Sequence, residues 1–291
     1  MSWQMRAVAT FLGLTRGRRF RTEDGGRALL ERPKRSSEPP ARVLRGLDVR
    51  REQVHGRPVH VLSPAGGPRT RGTVVYLHGG AYVSTIVRQH WALVAEVVRE
   101  VGCEVRVPLY GLAPDHHAPE AIALVRAVLD GARGPTYLLG DSAGGGLALA
   151  TTQRVVEDGG TAPAGLTLVA PWLDLGLRNP EIPAIQPHDP WLSLPGLRPL
   201  AAAWADGLSY DDPRVSPLFG RLDGLPPIAL HVGTRDITLA DCRELRDRAP
   251  SGGLTVHEVP GAVHVHPLLP VPEGRVARGL IVDEVRRGLG V

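Results

Sequence analysis

The chain has 291 residues, of which 43% are hydrophobic and 22% charged, a balance that suits a globular protein with a sizeable core. No apolar run reaches the roughly 18 residues that a membrane-spanning helix needs. The short apolar stretch 7–14 has no signal-peptide cleavage site after it, so we expect a cytoplasmic protein without stable membrane insertion. The two cysteines, Cys103 and Cys242, lie far apart, which argues against a disulfide framework or a zinc site.

Charge is concentrated at the N-terminus. Residues 1–60 hold 14 basic and 6 acidic side chains, a balance of +8, whereas the whole chain carries only +4. A basic arm can bind nucleic acid, an anionic membrane surface or an acidic protein. Here no aromatic residues interleave the basic ones and no nucleic-acid motif is present, so we favour a solvated charged segment and expect no nucleic-acid partner.

In chain order, residues 1–45 are predicted to form one or two short helices, broken at Gly25-Gly26 and by the Pro/Ser-rich range 33–40. Strands and helices then alternate, which is typical of a mostly parallel sheet with helices on both faces. The predicted strands are 47–54, 58–62, 73–77, 103–107, 136–139, 166–170, 228–232 and 254–259. The predicted helices are 91–101, 119–129, 147–156, 242–248 and 276–285.

The alternation breaks once, over residues 175–225, which contain many prolines and no predicted strand. An insertion of this length in a regular α/β pattern is typically a lid or cap. One helix is predicted in it, with Ser193 as N-cap, Gly207 past its end and Pro199 as a weak point. Its apolar stripe, which we expect to pack partly onto the catalytic face, comprises Trp191, Leu194, Leu197, Leu200 and Trp204.

The sequence from Thr136 to Ala150 carries the chemistry. An apolar strand is followed by Gly140-Asp141-Ser142-Ala143-Gly144 and then by a Leu/Ala-rich helix. A strand that turns sharply into a helix needs small residues around the turn, and the central serine is then exposed at its tip. Because the chain contains 35 glycines, the five-residue pattern alone is weak, but its position between a strand and a helix predicts a nucleophile elbow at Ser142.

A serine nucleophile needs a base, and that base needs an orienting carboxylate. Asp236 and His264 follow successive predicted strands downstream of Ser142, in the order Ser, Asp, His that an α/β-hydrolase requires. Asp241 and Asp247 lie further into the next helix and fit less well. His257 falls inside a strand, and His266 remains the competitor to His264, which we favour because it is nearer the strand end.

The negative oxygen of a tetrahedral intermediate needs hydrogen-bond donors. One predicted donor is the backbone N–H of Ala143, directly after the nucleophile. The loop that follows the strand 73–77 supplies the others, Gly79 and Gly80, and Tyr82 is expected to narrow the entrance beside them. With Trp191 and Trp204 from the cap stripe, Tyr82 completes the predicted substrate-binding set.

These motifs resemble the hormone-sensitive-lipase-like α/β-hydrolases, bacterial carboxylesterases in particular. The resemblance extends over about residues 46–288. It rests on His78-Gly79-Gly80-Ala81, Gly140-Asp141-Ser142-Ala143-Gly144-Gly145, Asp236, His264, and the ranges 110–116, 170–175 and 212–218. Ala81, Gly111, Ile237 and the pair Val265-His266 depart from the family's usual residues.

The resemblance implies an α/β-hydrolase core made of residues 46–174 and 226–291. It also implies a cap made of the N-terminal segment 1–45 and the insertion 175–225. It further implies ester hydrolysis with no cofactor, and we expect no metal site. Because a cap that closes over Ser142 leaves a bounded apolar pocket, we expect small esters of short-to-medium acyl chains as substrates. A homodimer stays open. Two alternatives keep the fold: an acyltransferase or natural-product hydrolase, cyclase or dehydratase, and a non-catalytic receptor, against which the intact Ser142, Asp236 and His264 argue.

Overall fold

A computed structural model describes all 291 residues, and its centre is one eight-stranded sheet in the order β1-β2-β4-β3-β5-β6-β7-β8. β2 runs antiparallel to both of its neighbours, and the six strands from β3 to β8 are mutually parallel. The strands are β1 (Leu47–Val54), β2 (Arg57–Pro64), β3 (Thr73–Leu77), β4 (Glu104–Pro108), β5 (Thr136–Asp141), β6 (Leu166–Val169), β7 (Ile228–Arg235) and β8 (Leu254–Val263).

Helices cover both faces of this sheet. The helices are α1 (Trp3–Thr15), α2 (Glu23–Leu30), α3 (Arg88–Val101), α4 (Ala118–Asp130), α5 (Ala143–Glu157), α6 (Ile182–Ile185), α7 (Leu194–Ala205), α8 (Leu239–Arg248) and α9 (Pro272–Leu289). Along β3, Val75 and Leu77 enter the larger core with α4, α5 and α8, whereas Val74 and Tyr76 pack with α3 and α9. This alternation is the period of two that a strand buried on both faces requires.

The α/β-hydrolase fold predicted from the sequence is confirmed, and the predicted strands differ from the observed ones mainly at their ends. β8 is the largest difference, because it continues to Val263 instead of ending at Val259, so His264 follows the strand directly. A register irregularity between Gly233 and Arg235 lets β7 and β8 stay paired over this length. None of the helices is both long and apolar enough to cross a membrane.

The N-terminal segment packs on the insertion rather than standing apart from it. Gly196 donates its N–H to the carbonyl of Phe20 at 2.8 Å. A Cβ on Gly26 would lie 2.2 Å from the carbonyl oxygen of Gly196, so the two backbones approach as closely as glycine allows. The prediction that Gly25-Gly26 breaks the chain is therefore wrong: both lie inside α2, where they permit this approach.

The helix predicted in the insertion is present as α7, which begins after Ser193 and ends where Asp206 adopts a left-handed conformation. The helix continues through Pro199. Leu197, Leu200 and Trp204 are buried on one side of it, as their spacing predicts. The insertion contains no strand.

Candidate active site

Ser142 has the strained geometry that the sequence predicts. It lies between the end of β5 and the start of α5 with φ 51° and ψ −119°. The neighbouring glycines are required by close approaches: a Cβ on Gly144 would lie 2.0 Å from the carbonyl oxygen of Leu77, and one on Gly140 would lie 2.3 Å from that of Gly144. The sharp turn holds the Ser142 side chain above the N-terminus of α5.

Three side chains that are far apart in the chain form one line of contacts at the carboxyl ends of the strands. His264 Nε2 lies 2.9 Å from Ser142 Oγ, and His264 Nδ1 lies 2.8 Å from Asp236 Oδ2. Asp236 follows β7 and His264 follows β8, two adjacent parallel strands. Asp236 and His264 are buried, and the second Asp236 oxygen accepts the N–H of Thr238 at 3.0 Å. The structure thus brings together all three predicted residues.

The surroundings of His264 favour its acceptance of a proton. Burial alone would disfavour the imidazolium, but the charge and hydrogen bond of Asp236 outweigh it, so the pKa of His264 is raised above its ordinary value of 6.5. Trp191 packs edge-on against the ring, with 5.6 Å between centroids and 83° between planes. His264 is therefore a base of raised pKa, held on one side by a carboxylate and on another by an indole.

His266 and Asp241, the alternatives to His264 and Asp236, have other surroundings. His266 is fully buried, and neither of its ring nitrogens has a hydrogen-bond partner. Burial, together with the nearby His231, lowers the pKa of His266 to about 4. Asp241 accepts the N–H of Asp174 at 3.3 Å instead of contacting an imidazole. Neither residue lines the cavity that contains Ser142.

The loop after β3 provides backbone donors near Ser142, but Gly79 is not one of them. Its N–H is donated to Asp141 Oδ1 at 3.0 Å. The expectation that Gly79 serves an oxyanion is corrected accordingly: Gly80 and Ala81 line the cavity, and their N–H groups have no backbone acceptor. Both have positive φ, 127° and 53°, which turns the backbone sharply at this point. Ala143, at the first position of α5, has no intrahelical acceptor for its N–H.

Asp141 holds this loop in place from beneath the nucleophile. Its buried carboxylate also accepts the hydroxyl of Tyr76 and lies 3.4 Å from His90 Nε2. Burial would favour the neutral acid, but His90 and the hydrogen bonds of Tyr76 and Gly79 lower the pKa of Asp141 below its ordinary value. An ionised Asp141 therefore ties β3, β5 and α3 together around the loop. A Cβ on Gly79 would lie 2.2 Å from this carboxylate, so the position requires glycine.

Ser142 opens into an apolar cavity of about 380 Å³. The insertion contributes Trp191, Leu192 and Leu197 to its wall, and the N-terminal segment contributes a second group: Val8, Phe11, Leu12, Arg16, Arg19, Phe20 and Leu29. Trp191 therefore lies where the sequence predicts. Tyr82 and Trp204 do not line the cavity. They stack on each other at 4.1 Å, with Trp172 behind Tyr82 at 5.9 Å, so their place is in the packing beneath the loop.

Asp189 is a residue of the insertion that no sequence motif singles out. Its Oδ1 accepts the N–H groups of Trp191 and Leu192 at 2.8 and 2.9 Å. Its Oδ2 accepts the N–H of Ile237, the residue after Asp236, at 3.0 Å. Desolvation and the nearby charge of Asp236 raise the pKa of Asp189. One carboxyl group thus connects the indole on His264 with the loop that carries Asp236.

One group of side chains has the composition of a metal site. Nitrogen and oxygen atoms of His231, His257 and Glu284 lie within 4.8 Å of one another. Glu284 already accepts hydrogen bonds from His231 at 3.0 Å and from Thr167 at 2.9 Å, and its carboxylate lies 3.0 Å from His257 Nε2. These three residues are not part of the cavity lining. Their contacts are those of a self-contained network between β7, β8 and α9.

Comparison with known proteins supports the fold. A family profile described as "alpha/beta hydrolase fold" matches residues 74–268. The chain is 36% identical to an esterase of Acinetobacter venetianus, over 63% of this chain and 63% of that protein, so the match spans just under two thirds of the relative. It is 33% identical to an acetyl-hydrolase of Streptomyces hygroscopicus, over 70% of this chain and 72% of that protein.

Among solved structures, an esterase from the bacterial hormone-sensitive lipase family superimposes with a TM-score of 0.79 and 27% identity over 99% of both chains. The chain belongs to the hormone-sensitive-lipase-like α/β-hydrolases. The resemblance found in the sequence is confirmed, and the relatives that the chain matches are named as an esterase and an acetyl-hydrolase. In this hydrolase, the matched range 74–268 contains Ser142, Asp236 and His264 as well as the whole insertion.

Proposed function

We propose that the hydrolase cleaves carboxylic esters through an acyl-enzyme on Ser142, with His264 as general base and Asp236 as the carboxylate that orients it. The observation that carries the proposal is the unbroken line of contacts, 2.8 Å from Asp236 to His264 and 2.9 Å from His264 to Ser142, in the wall of an apolar cavity. A hydroxyl in this position can pass its proton to the imidazole as it attacks a carbonyl carbon.

In the first half-reaction, Ser142 Oγ bonds to the carbonyl carbon while its proton moves to His264 Nε2. The carbonyl oxygen takes the negative charge, and we assign the N–H groups of Gly80, Ala81 and Ala143 to it. As the carbonyl re-forms, the bond to the alcohol oxygen breaks and His264 returns the proton to that oxygen. The imidazolium is stabilised throughout by the carboxylate of Asp236.

The second half-reaction repeats these steps with water. His264 takes a proton from the water as its oxygen attacks the acyl carbon. The second intermediate then collapses, Ser142 leaves with the proton from His264, and the carboxylic acid is released. An alcohol that replaced water here would give a transferred ester. A competing alcohol in the assay therefore separates hydrolysis, which we expect, from acyl transfer.

The cap consists, in this proposal, of the insertion and the N-terminal segment, which together enclose the cavity over Ser142. A volume of about 380 Å³ is near the small end of the range of about 300–1,000 Å³ found for ligand pockets. Leu197, which is buried, forms part of its wall. We therefore assign short-to-medium acyl esters as the substrates.

A series of p-nitrophenyl esters from acetate to palmitate tests this assignment. We expect kcat/KM to be highest for short acyl chains and to fall steeply for long ones, with no activation by a lipid emulsion, because the enclosed cavity has no room for a long chain. Leu197→Ala should move the maximum toward longer chains. Leu200→Ala, equally buried but outside the cavity lining, is the matched control and should leave the maximum in place. A flat profile or a maximum at palmitate contradicts the assignment.

A second test concerns Asp189, which we propose as a positioning residue for the acid and the indole. Asp189→Ala removes the acceptor of three backbone N–H groups, so Asp236 and Trp191 lose a shared support. We expect kcat/KM for a short ester to fall by about 10- to 100-fold, the size of loss that a displacement of catalytic groups causes. The kcat should fall more than KM rises.

Asp223→Ala is the control for this variant, because Asp223 lies exposed on the same insertion and forms no ion pair. Circular dichroism and the melting temperature of both variants separate a local effect from unfolding. Wild-type kcat in a folded Asp189→Ala protein would show that Asp189 only links parts of the cap and does not position the catalytic groups.

A further inference from the structure

The cavity wall carries two fixed positive charges, both from the N-terminal segment. Arg16 and Arg19 line the same cavity as Ser142. Asp141 is the only carboxylate in that lining, and it already accepts Tyr76 and Gly79 and lies beside His90. The two guanidinium groups therefore have no negative partner inside the cavity. The rest of the wall is mostly apolar, with polar side chains such as Ser84, Thr85 and Gln89, and it contains no lysine and no further arginine.

These arginines also have no partner outside the cavity. Both are exposed, as are the nearby Arg32 and Arg35, and none of the four forms an ion pair or a side-chain hydrogen bond with protein. Partial burial and the charges of Arg32, Arg16 and Arg35 lower the pKa of Arg19. Arg16, Arg32 and Arg35 thus lie close enough to Arg19 for their charges to act on it, and Arg16 and Arg19 line the site. An anion bound there would offset the repulsion among these four arginines, which no acidic side chain of the protein pairs with.

We propose that Arg16 and Arg19 bind an anionic group, a carboxylate or a phosphate, carried by the ester substrate away from its scissile bond. This inference rests on the proposed esterase function and names the substrate class more narrowly: small esters with one apolar arm and one negatively charged end. The apolar wall takes the uncharged arm, and the guanidinium pair offers the planar N–H donors that bind carboxylate and phosphate oxygens in pairs. An exposed pair at an opening exchanges readily with solvent, which allows the product to leave.

Two sets of esters distinguish the possible positions and kinds of charge. The first compares p-nitrophenyl hexanoate with mono-p-nitrophenyl adipate, which has the same carbon count and a terminal carboxylate on the acyl side. The second compares phenyl butyrates with a para acetyl, carboxylate or phosphate group, which places the charge on the alcohol side. For each set, kcat/KM is measured in the wild type and in the double variant Arg16→Gln/Arg19→Gln, at low and at high salt.

We expect the double variant to lower the ratio of charged-ester to neutral-ester kcat/KM by about ten-fold at low salt in at least one set, as two exposed ion pairs would. The ratio between variants cancels the intrinsic reactivity of each ester. The difference should shrink at high salt, because exposed charges are screened. The set in which the double variant lowers this ratio shows which end of the substrate carries the charge. Within the para series, the ester whose ratio falls more shows whether a carboxylate or a phosphate is preferred.

The matched control is Arg18→Gln/Arg42→Gln. It removes the same two charges from exposed, unpaired arginines of the same segment that do not line the cavity. If both double variants change the ratio equally, the effect is that of overall charge and the proposal is overturned. It is also overturned if neither variant changes the ratio. Loss of binding to anionic phosphatidylglycerol vesicles with an unchanged ratio would assign the arginines to a lipid surface instead.

Failure of the proposed function gives a different result. A wild-type protein that turns over none of the esters, neutral or charged, contradicts the esterase proposal itself. The arginine proposal is then tested by calorimetric titration of the adipate ester, and of the para carboxylate and para phosphate phenyl butyrates, into Ser142→Ala with and without the Arg16 and Arg19 substitutions. Equal affinities in the two proteins overturn it, and weaker binding without the arginines supports it.

Discussion

Ser142→Ala should reduce kcat for a short ester by about 10⁵- to 10⁶-fold, the loss typical of removing the nucleophile of a serine hydrolase. The reason is structural: Ser142 Oγ is the only hydroxyl in contact with His264, at 2.9 Å, and the strained elbow allows no neighbouring side chain to replace it. Substrate binding should change little, because the cavity wall remains. The measurement is kcat and KM for p-nitrophenyl acetate, with the variant purified on fresh resin to exclude wild-type carry-over.

Covalent labelling provides the independent readout. An organophosphonate should modify the wild type once, at Ser142, and should leave Ser142→Ala unmodified. Ser84, which also lines the cavity but does not contact an imidazole, serves as the internal control and should remain unlabelled. Near wild-type turnover in Ser142→Ala, or a label on Ser84, would mean that the proposed mechanism is wrong.

The parts of the site that depend on chain order could be predicted from the sequence. Ser142, Asp236 and His264 each follow a parallel strand, and the carboxyl ends of such strands meet at one edge of the sheet. The order of the motifs therefore places the three residues together without knowledge of any distance. The elbow could be predicted for a similar reason, because Gly140 and Gly144 satisfy a local steric requirement that is visible in five consecutive residues.

The parts that depend on long-range partners could not be predicted. Gly79 and Gly80 are equivalent in sequence, and only the carboxylate of Asp141 decides that the Gly79 N–H is engaged. Tyr82 follows the loop, which predicts a place at the entrance, but its ring stacks on that of Trp204 in the packing beneath the loop. These outcomes depend on which side chain arrives from a distant element, and residue type and spacing carry no information about that.

The contacts within the cap also depend on long-range partners that the sequence does not reveal. Gly25-Gly26 has the composition of a chain break, and only the close approach of Gly196 explains why it is helical. Asp189 stands in a proline-rich stretch that gave no signal, and its importance appears only once Ile237 and Trp191 are found on either side of it. The sequence predicts a solvated basic segment, and Arg16 and Arg19 are exposed, but spacing alone does not show that they also line the cavity.

His264→Ala should be nearly as damaging as Ser142→Ala, whereas His266→Ala should retain kcat within about ten-fold of wild type, because triad members act as a unit. The structure gives the reason for the contrast: His264 contacts both Ser142 and Asp236, and His266 contacts neither. Removing His266 leaves a small void in the packing, so its variant should lose thermal stability more than activity. Melting temperatures and kcat, measured together, separate the two effects.

The pH profile of kcat/KM tests the same assignment through charge. A base must be neutral to accept the serine proton, and the pKa of His264 is raised by Asp236, so the rate should fall on the acid side at a pH above the ordinary imidazole value of about 6.5. Asp236→Asn removes the charge that raises this pKa, so the residual activity of this variant should fall at a lower pH than the wild-type activity does. His266, whose pKa is lowered to about 4, cannot produce a limb above 6.5. An acid limb near pH 4 in the wild type, or a His266→Ala variant more damaged than His264→Ala, would reverse the assignment.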